Sequence, residues 1–134
     1  MLRLSRSAWS AMIAEAFARF PDEMCGLLGG DPEGTGELFV PCQNLAASSR
    51  TFEIGIDQVK AERQIEAAGG EIVAVVHSHT HTDAYPSPTD VEKSLAVPGW
   101  RWVLVSLKHA EPVVRSYTIE GGTILEEEIV LTDE

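Results

Sequence analysis

Cysteine is scarce in this chain: Cys25 and Cys42 allow at most one internal bridge, too few to staple a secreted module, so a reducing compartment, the cytoplasm, is expected. Positive charge is scarce as well. The 10 Lys plus Arg stand against 21 Asp plus Glu, a net charge of −11, and such a field repels phosphate backbones and anionic lipid. Nucleic acid and membrane surfaces are therefore excluded as expected partners. The same acidity suits either salty surroundings or a basic patch on a partner protein, and composition leaves both open. Long apolar runs are missing. The longest, Ile72 to Val76, falls far below the roughly 20 residues that span a bilayer, and a soluble protein is expected. Repeats, linkers and low-complexity tracts are absent too.

What is present describes a globular chain. Its 134 residues, 44% hydrophobic and 23% charged, suit a single domain over 1–134 with a core of its own. The first segment carries arginines and serines with only Glu15 acidic, a superficial likeness to a transit peptide. Leu4, Ala8, Met12, Ile13, Ala16, Phe17 and Phe20 nevertheless form one apolar helical stripe, with Ser5 or Ser7 available as a cap, so a first core helix is expected. Pro21 ends it, which leaves Glu23 at a junction before a short buried strand, Met24 to Leu28.

Further strands are expected over Glu37 to Val40 and Thr51 to Ile54, then a helix over Asp57 to Ala68 stopped by Gly69 and Gly70. Ile72 to Val76 has no polar alternation and reads as a central strand covered on both faces. Ser87, Pro88, Thr89 and Asp90 open a helix that Pro98 and Gly99 close. Trp102 to Leu107 is a strand, and Val113 to Ile119 with Thr123 to Leu131 form a closing hairpin around Gly121 and Gly122. The fold class is thus α/β, a mixed β-sheet with helices packed on it.

Chemistry gathers at the end of the central strand. Alternate side chains of an extended segment share a face, so His77 and His79 point one way and Ser78 the other. A catalytic zinc takes three protein ligands and keeps one position open, so a third donor is required, and Asp90 is the candidate at the start of the next helix. Other readings fit the same residues. Ser-Pro-x-Asp is also what a capping box with proline at the first helical position shows. His81 would join His77 and His79 in an all-histidine site if the strand ran on. The Asp-His continuation of metallo-β-lactamases is missing, since Thr80, His81 and Thr82 follow. Cys25 offers a nucleophile, although a small residue beside Gly26 in an apolar strand suits packing. Trp9, Trp100 and Trp102 read as packing residues, and His109 as a surface one.

His77-x-His79, seven residues, Ser87, two residues and Asp90, with Glu23 far upstream, together resemble the signature of the JAMM (MPN-plus) metalloprotease family. The likeness runs from DEMCGLLGG through HSHTHTDAYPSPTD to WVLVS and RSYTI, and is strongest to a small bacterial branch that includes a peptidase releasing cysteine from a sulfur carrier. Many relatives have proline after the second histidine where this chain has Thr80.

The resemblance implies the JAMM/MPN (cytidine deaminase-like) architecture and one zinc ion per chain. It makes His77, His79 and Asp90 the metal ligands, Glu23 the general acid/base and Ser87 a hydrogen-bond donor to the oxyanion. It further implies a substrate, a small sulfur-carrier or ubiquitin-like protein with a Gly-Gly tail, cut at the amide after that tail. Such a tail is expected to lie extended along an exposed strand edge, its glycines letting the backbone approach the metal. Alternatives are a deubiquitinase-like isopeptidase on Lys-linked conjugates, a metal-free interaction module, and a structural zinc closed by His81 or Cys25.

Overall fold

Ser5 both ends a strand and starts a helix. In the computed structural model, which describes residues 1–46, 48 and 53–133, its Oγ accepts the Ala8 N–H at 3.1 Å, so strand β1 (Leu2–Ser5) passes directly into α1 (Arg6–Arg19). This strand was not expected. Leu4 belongs to it and not to the helical stripe, because i, i+4 spacing to Ala8 fits a continuous helix equally well. Helix α1 buries Ala8, Met12 and Ala16. Phe17 and Phe20, assigned to the same stripe, are instead 56% and 49% exposed.

The chain continues through β2 (Cys25–Asp31), β3 (Thr35–Cys42), α2 (Asp57–Ala67), β4 (Glu71–His79), α3 (Pro88–Ser94), β5 (Arg101–Ser106), β6 (Val113–Glu120), β7 (Thr123–Glu127) and β8 (Ile129–Thr132). Of the expected Thr51 to Ile54 strand, Thr51 and Phe52 lie outside the described residues, while Glu53 and Ile54 are irregular. Helix α3 ends at Ser94, and residues 95–99 are turns up to Gly99, whose φ is +83°.

The strands form one mixed sheet in the order β7-β6-β5-β4-β2-β3-β1-β8. Strand β4 is antiparallel to β2 and parallel to β5, and both its faces are covered by buried clusters, which accounts for its uninterrupted apolar run. Its side chains divide between two clusters. Val76 joins Met12, Ala16 and Val105, while Val75 joins Leu27, Ile65 and Trp102. Helices α1 and α2 thus cover opposite faces. The hairpin at Gly121 and Gly122, with φ of +55° and +82°, fits a primed turn. It closes only β6 with β7. The expected single strand to Leu131 breaks at Glu128, whose carbonyl accepts the Leu2 N–H at 2.8 Å, and β8 crosses to pair with β1. Among the described residues, no helix is long and apolar enough to cross a membrane.

Candidate metal centre

The site forms where β2 begins, β4 ends and α3 begins. At the entrance to β2 the Met24 N–H donates to Ser78 Oγ at 2.8 Å, while the Ser78 N–H returns a bond to the Met24 carbonyl at 3.0 Å. That clasp ties the residue after Glu23 to the residue between the two histidines. Glu23 is held on its other side as well, its N–H donating to the Ser48 carbonyl and its carbonyl accepting from Asn44 Nδ2. Local sequence carried no signal for Ser78, Asn44 or Ser48, since each acts through the backbone of a distant residue.

Fixed in this way, Glu23 is only 4% exposed, beside His77, His79 and Asp90 at 1%, 6% and 3%. His77 Nδ1 lies 3.3 Å from Glu23 Oε1, and its Nε2 lies 3.0 Å from Asp90 Oδ1. His79 Nε2 is 3.6 Å from Asp90 Oδ2. Donor atoms of Glu23, His77 and His79 all lie within 4.8 Å of one another. The strand alternation thus brings both imidazoles to one side, with ring centroids 5.0 Å apart, and the fold adds two carboxylates. Trp102 meets His77 edge-on at 5.9 Å and gives the centre an apolar wall. A polar cavity of about 500 Å³, lined by Glu15, Arg19, Glu23 and Asn44 among others, reaches the Glu23 side.

Asp90 also completes a capping box. Its Oδ2 accepts the Ser87 N–H at 2.8 Å, and its own N–H donates to Ser87 Oγ at 3.1 Å. The capping and site readings of Asp90 therefore coexist: one carboxylate starts the helix and faces both imidazoles. Ser87 Oγ accepts in this box, which leaves its single hydroxyl hydrogen to donate elsewhere.

The electrostatics are those of a buried ionic cluster. Burial disfavours a charged His77, yet hydrogen bonds and charge from Asp90 and Glu23 outweigh it and raise its pKa to about 9. Burial likewise opposes ionisation of Asp90, and His77 and His79 overturn it, holding the carboxyl far below the usual range. The donor set suits a divalent cation of the zinc type. Imidazole nitrogens and carboxylate oxygens are zinc donors, and Glu23, His77 and His79 bring one such atom each within 4.8 Å of one another.

Other candidates fall away. Asp90 lies outside the group formed by Glu23, His77 and His79 and joins it through its contacts to both imidazoles, whereas His81 is exposed, its ring 5.9 Å from Phe20 and its Nδ1 2.8 Å from Thr80 Oγ1. Cys25 is fully buried, and burial, with Cys42 beside it, pushes its pKa up to about 12, which makes it a poor nucleophile. Strand β4 has both edges paired, with β2 and β5, while β3, the strand beyond β2, pairs with β1 only at Thr35 and Gly36, so among the described residues its run to Cys42 has a partner strand on one side only.

Residues 5–120 match the family of prokaryotic homologs of the JAB domain. The CysO-cysteine peptidase of Mycobacterium tuberculosis is 38% identical over 129 residues, 93% of this chain and 87% of the relative. The desampylase of Haloferax volcanii is 36% identical over 89 residues, 64% of this chain and 63% of the relative. The solution structure of a Desulfitobacterium hafniense protein superposes with a TM-score of 0.89 at 33% identity, over 100% of this chain and 94% of the other. A structure described as a JAMM metalloprotease-like zinc site in the proteasome and signalosome shares the fold, with a TM-score of 0.65 at 17% identity over 99% of both chains.

Proposed function

The chain belongs to the prokaryotic JAB-domain family of JAMM-type peptidases, and from that premise we propose that it is a zinc-dependent cytoplasmic peptidase. In this proposal it hydrolyses the amide bond after the C-terminal Gly-Gly of a small sulfur-carrier or ubiquitin-like protein and releases a terminal residue such as cysteine. The observation that carries the proposal is the buried group of Glu23, His77, His79 and Asp90 at the end of β4. Similarity to a peptidase named for a cysteine adduct, over most of both chains, supports the substrate class.

In this reading His77, His79 and Asp90 hold one zinc ion. Bound there, zinc supplies Lewis acidity, polarising a carbonyl and bringing the pKa of water to about 7. The chain's own residues do the rest. Glu23, largely buried but lining the polar cavity, takes the proton of the attacking water and returns it to the leaving amine. Ser87, its oxygen committed to the Asp90 N–H, directs its hydroxyl hydrogen at the developing oxyanion. Trp102 keeps the His77 side apolar, which strengthens each of these charge interactions. The edge of β3 toward Cys42, which β1 leaves unpaired, offers the tail a strand to lie along, and glycines let its backbone come close.

The desampylase similarity favours a second reading, an isopeptidase on Lys-linked conjugates. Incubating the zinc-loaded protein with a carrier ending in Gly-Gly-Cys and, separately, with a Lys-linked conjugate of the same carrier separates the two. Loss of the terminal cysteine alone supports the proposal, and cleavage of the conjugate alone moves the assignment to the isopeptidase.

A further inference from the structure

The loop between His79 and Ser87 has no ladder of its own, so its carbonyls must find partners elsewhere. Three successive ones do so in side chains from three adjacent strands. Ser106 Oγ, at the end of β5, donates to the Thr82 carbonyl at 2.6 Å. His79 Nδ1, at the end of β4, meets the Asp83 carbonyl at 2.7 Å. Tyr117 on β6 donates its phenolic hydrogen to the Ala84 carbonyl.

Each bond has one possible direction. A carbonyl only accepts, so Nδ1 of His79 carries the proton and Nε2 is left for the side facing Asp90. Ser106 Oγ also accepts the Lys108 N–H at 3.2 Å, which commits its one hydrogen to Thr82. Tyr117 is 2% exposed, and burial, followed by nearby Glu126, raises its pKa to about 12, so it stays a donor. The Leu107 N–H, donating to the His79 carbonyl at 2.9 Å, fixes the same histidine from its backbone.

We propose that Ser106 and Tyr117 are positioning residues for the metal centre: by gripping the carbonyls on either side of Asp83, they aim that carbonyl at His79 and set its tautomer and ring orientation. This extends the zinc reading of the site and rests on it only for the consequence in metal affinity. The tautomer itself belongs to the protein without metal.

The test uses the full chain as wild type, Ser106→Ala, Tyr117→Phe and the double variant. Ser116→Ala serves as a control, because that buried hydroxyl meets Glu127 and not the loop. Ring ¹⁵N shifts in the chelated proteins report the His79 tautomer, and competition with a chromophoric chelator reports zinc affinity. The expected wild-type spectrum shows a protonated, hydrogen-bonded Nδ1. In the double variant it moves toward a mixture with Nε2–H, and zinc affinity falls about 10- to 100-fold, while Ser116→Ala changes neither. An unchanged tautomer in the double variant overturns the proposal, as does an equal shift in Ser116→Ala. Should the wild type take up no zinc at all, the metal reading of the site fails, and the tautomer comparison still decides the positioning claim.

Discussion

Replacing Asp90 with alanine removes the cap bond to the Ser87 N–H and both contacts to the imidazoles. A lost cap costs about 1 kcal/mol. Taking one partner from a buried ion pair costs about 3 to 5 kcal/mol, because the remaining charge stays desolvated, and His77, with a pKa near 9, is charged at pH 7 before metal binds. Chelated Asp90→Ala should therefore lose about 4 to 6 kcal/mol, roughly 12 to 24 °C in Tm for a chain of this size. Ser87→Ala should lose about 1 kcal/mol and keep the metal, with turnover reduced about 100- to 1000-fold. The assay is thermal unfolding with a chelator and with free zinc at 100 times the wild-type Kd. Wild type and Ser87→Ala should gain about 2.7 kcal/mol from zinc, and Asp90→Ala should gain none. A cap-sized loss in Asp90→Ala together with the full zinc gain would make Asp90 a helix cap and nothing more.

The other predictions address single groups. Glu23→Gln should keep fold and zinc while kcat falls about 100- to 10,000-fold; wild-type turnover in that variant would remove Glu23 from the proton path. Zinc affinity should rise with pH, about tenfold per unit up to pH 9, because His77 must shed a proton to ligate, and a flat chelator-competition profile below pH 9 would exclude His77 as a ligand. For the chelated protein the sign reverses. A pKa raised in the folded state adds stability that is complete below about pH 6.5 and lost as pH rises through about 9, so an apo Tm that climbs over this window would contradict the His77 ion pairs. Cys25 and Cys42, pushed up to about 12 and about 11 by burial, have thiolate fractions of only about 1 in 1000 or less at pH 8. Iodoacetamide should label the native protein far more slowly than the unfolded one.

The parts of this molecule written in local pattern were legible. Ile72 to Val76 read as a doubly covered strand because a buried cluster does lie on each face of β4, and His-x-His read as one face because β4 stays extended through His79. Ser-Pro-x-Asp read as a helix start because the capping box closes within four residues. The parts that depend on distant partners were not legible. Strand β1 is four residues long and takes its meaning from β3 and β8. Strand β8 left the hairpin for the same reason. Burial of Glu23 depends on Ser48 and Asn44, and no spacing within the chain announces those contacts, so only the family likeness singled it out. Phe17 and Phe20 matched the helical period yet face solvent, because α1 has only one face of the sheet to cover.

The central claim is that His77, His79 and Asp90 hold zinc while Glu23 stays free to carry protons. Anomalous diffraction at the zinc edge, from crystals grown with zinc, tests it most directly. The expected result is one peak per chain, about 2.0 to 2.2 Å from one atom each of His77, His79 and Asp90, with the Glu23 carboxylate outside bonding distance. A peak bonded to Glu23, His77 and His79 with Asp90 left on the helix cap, or no peak at this site, would contradict the claim.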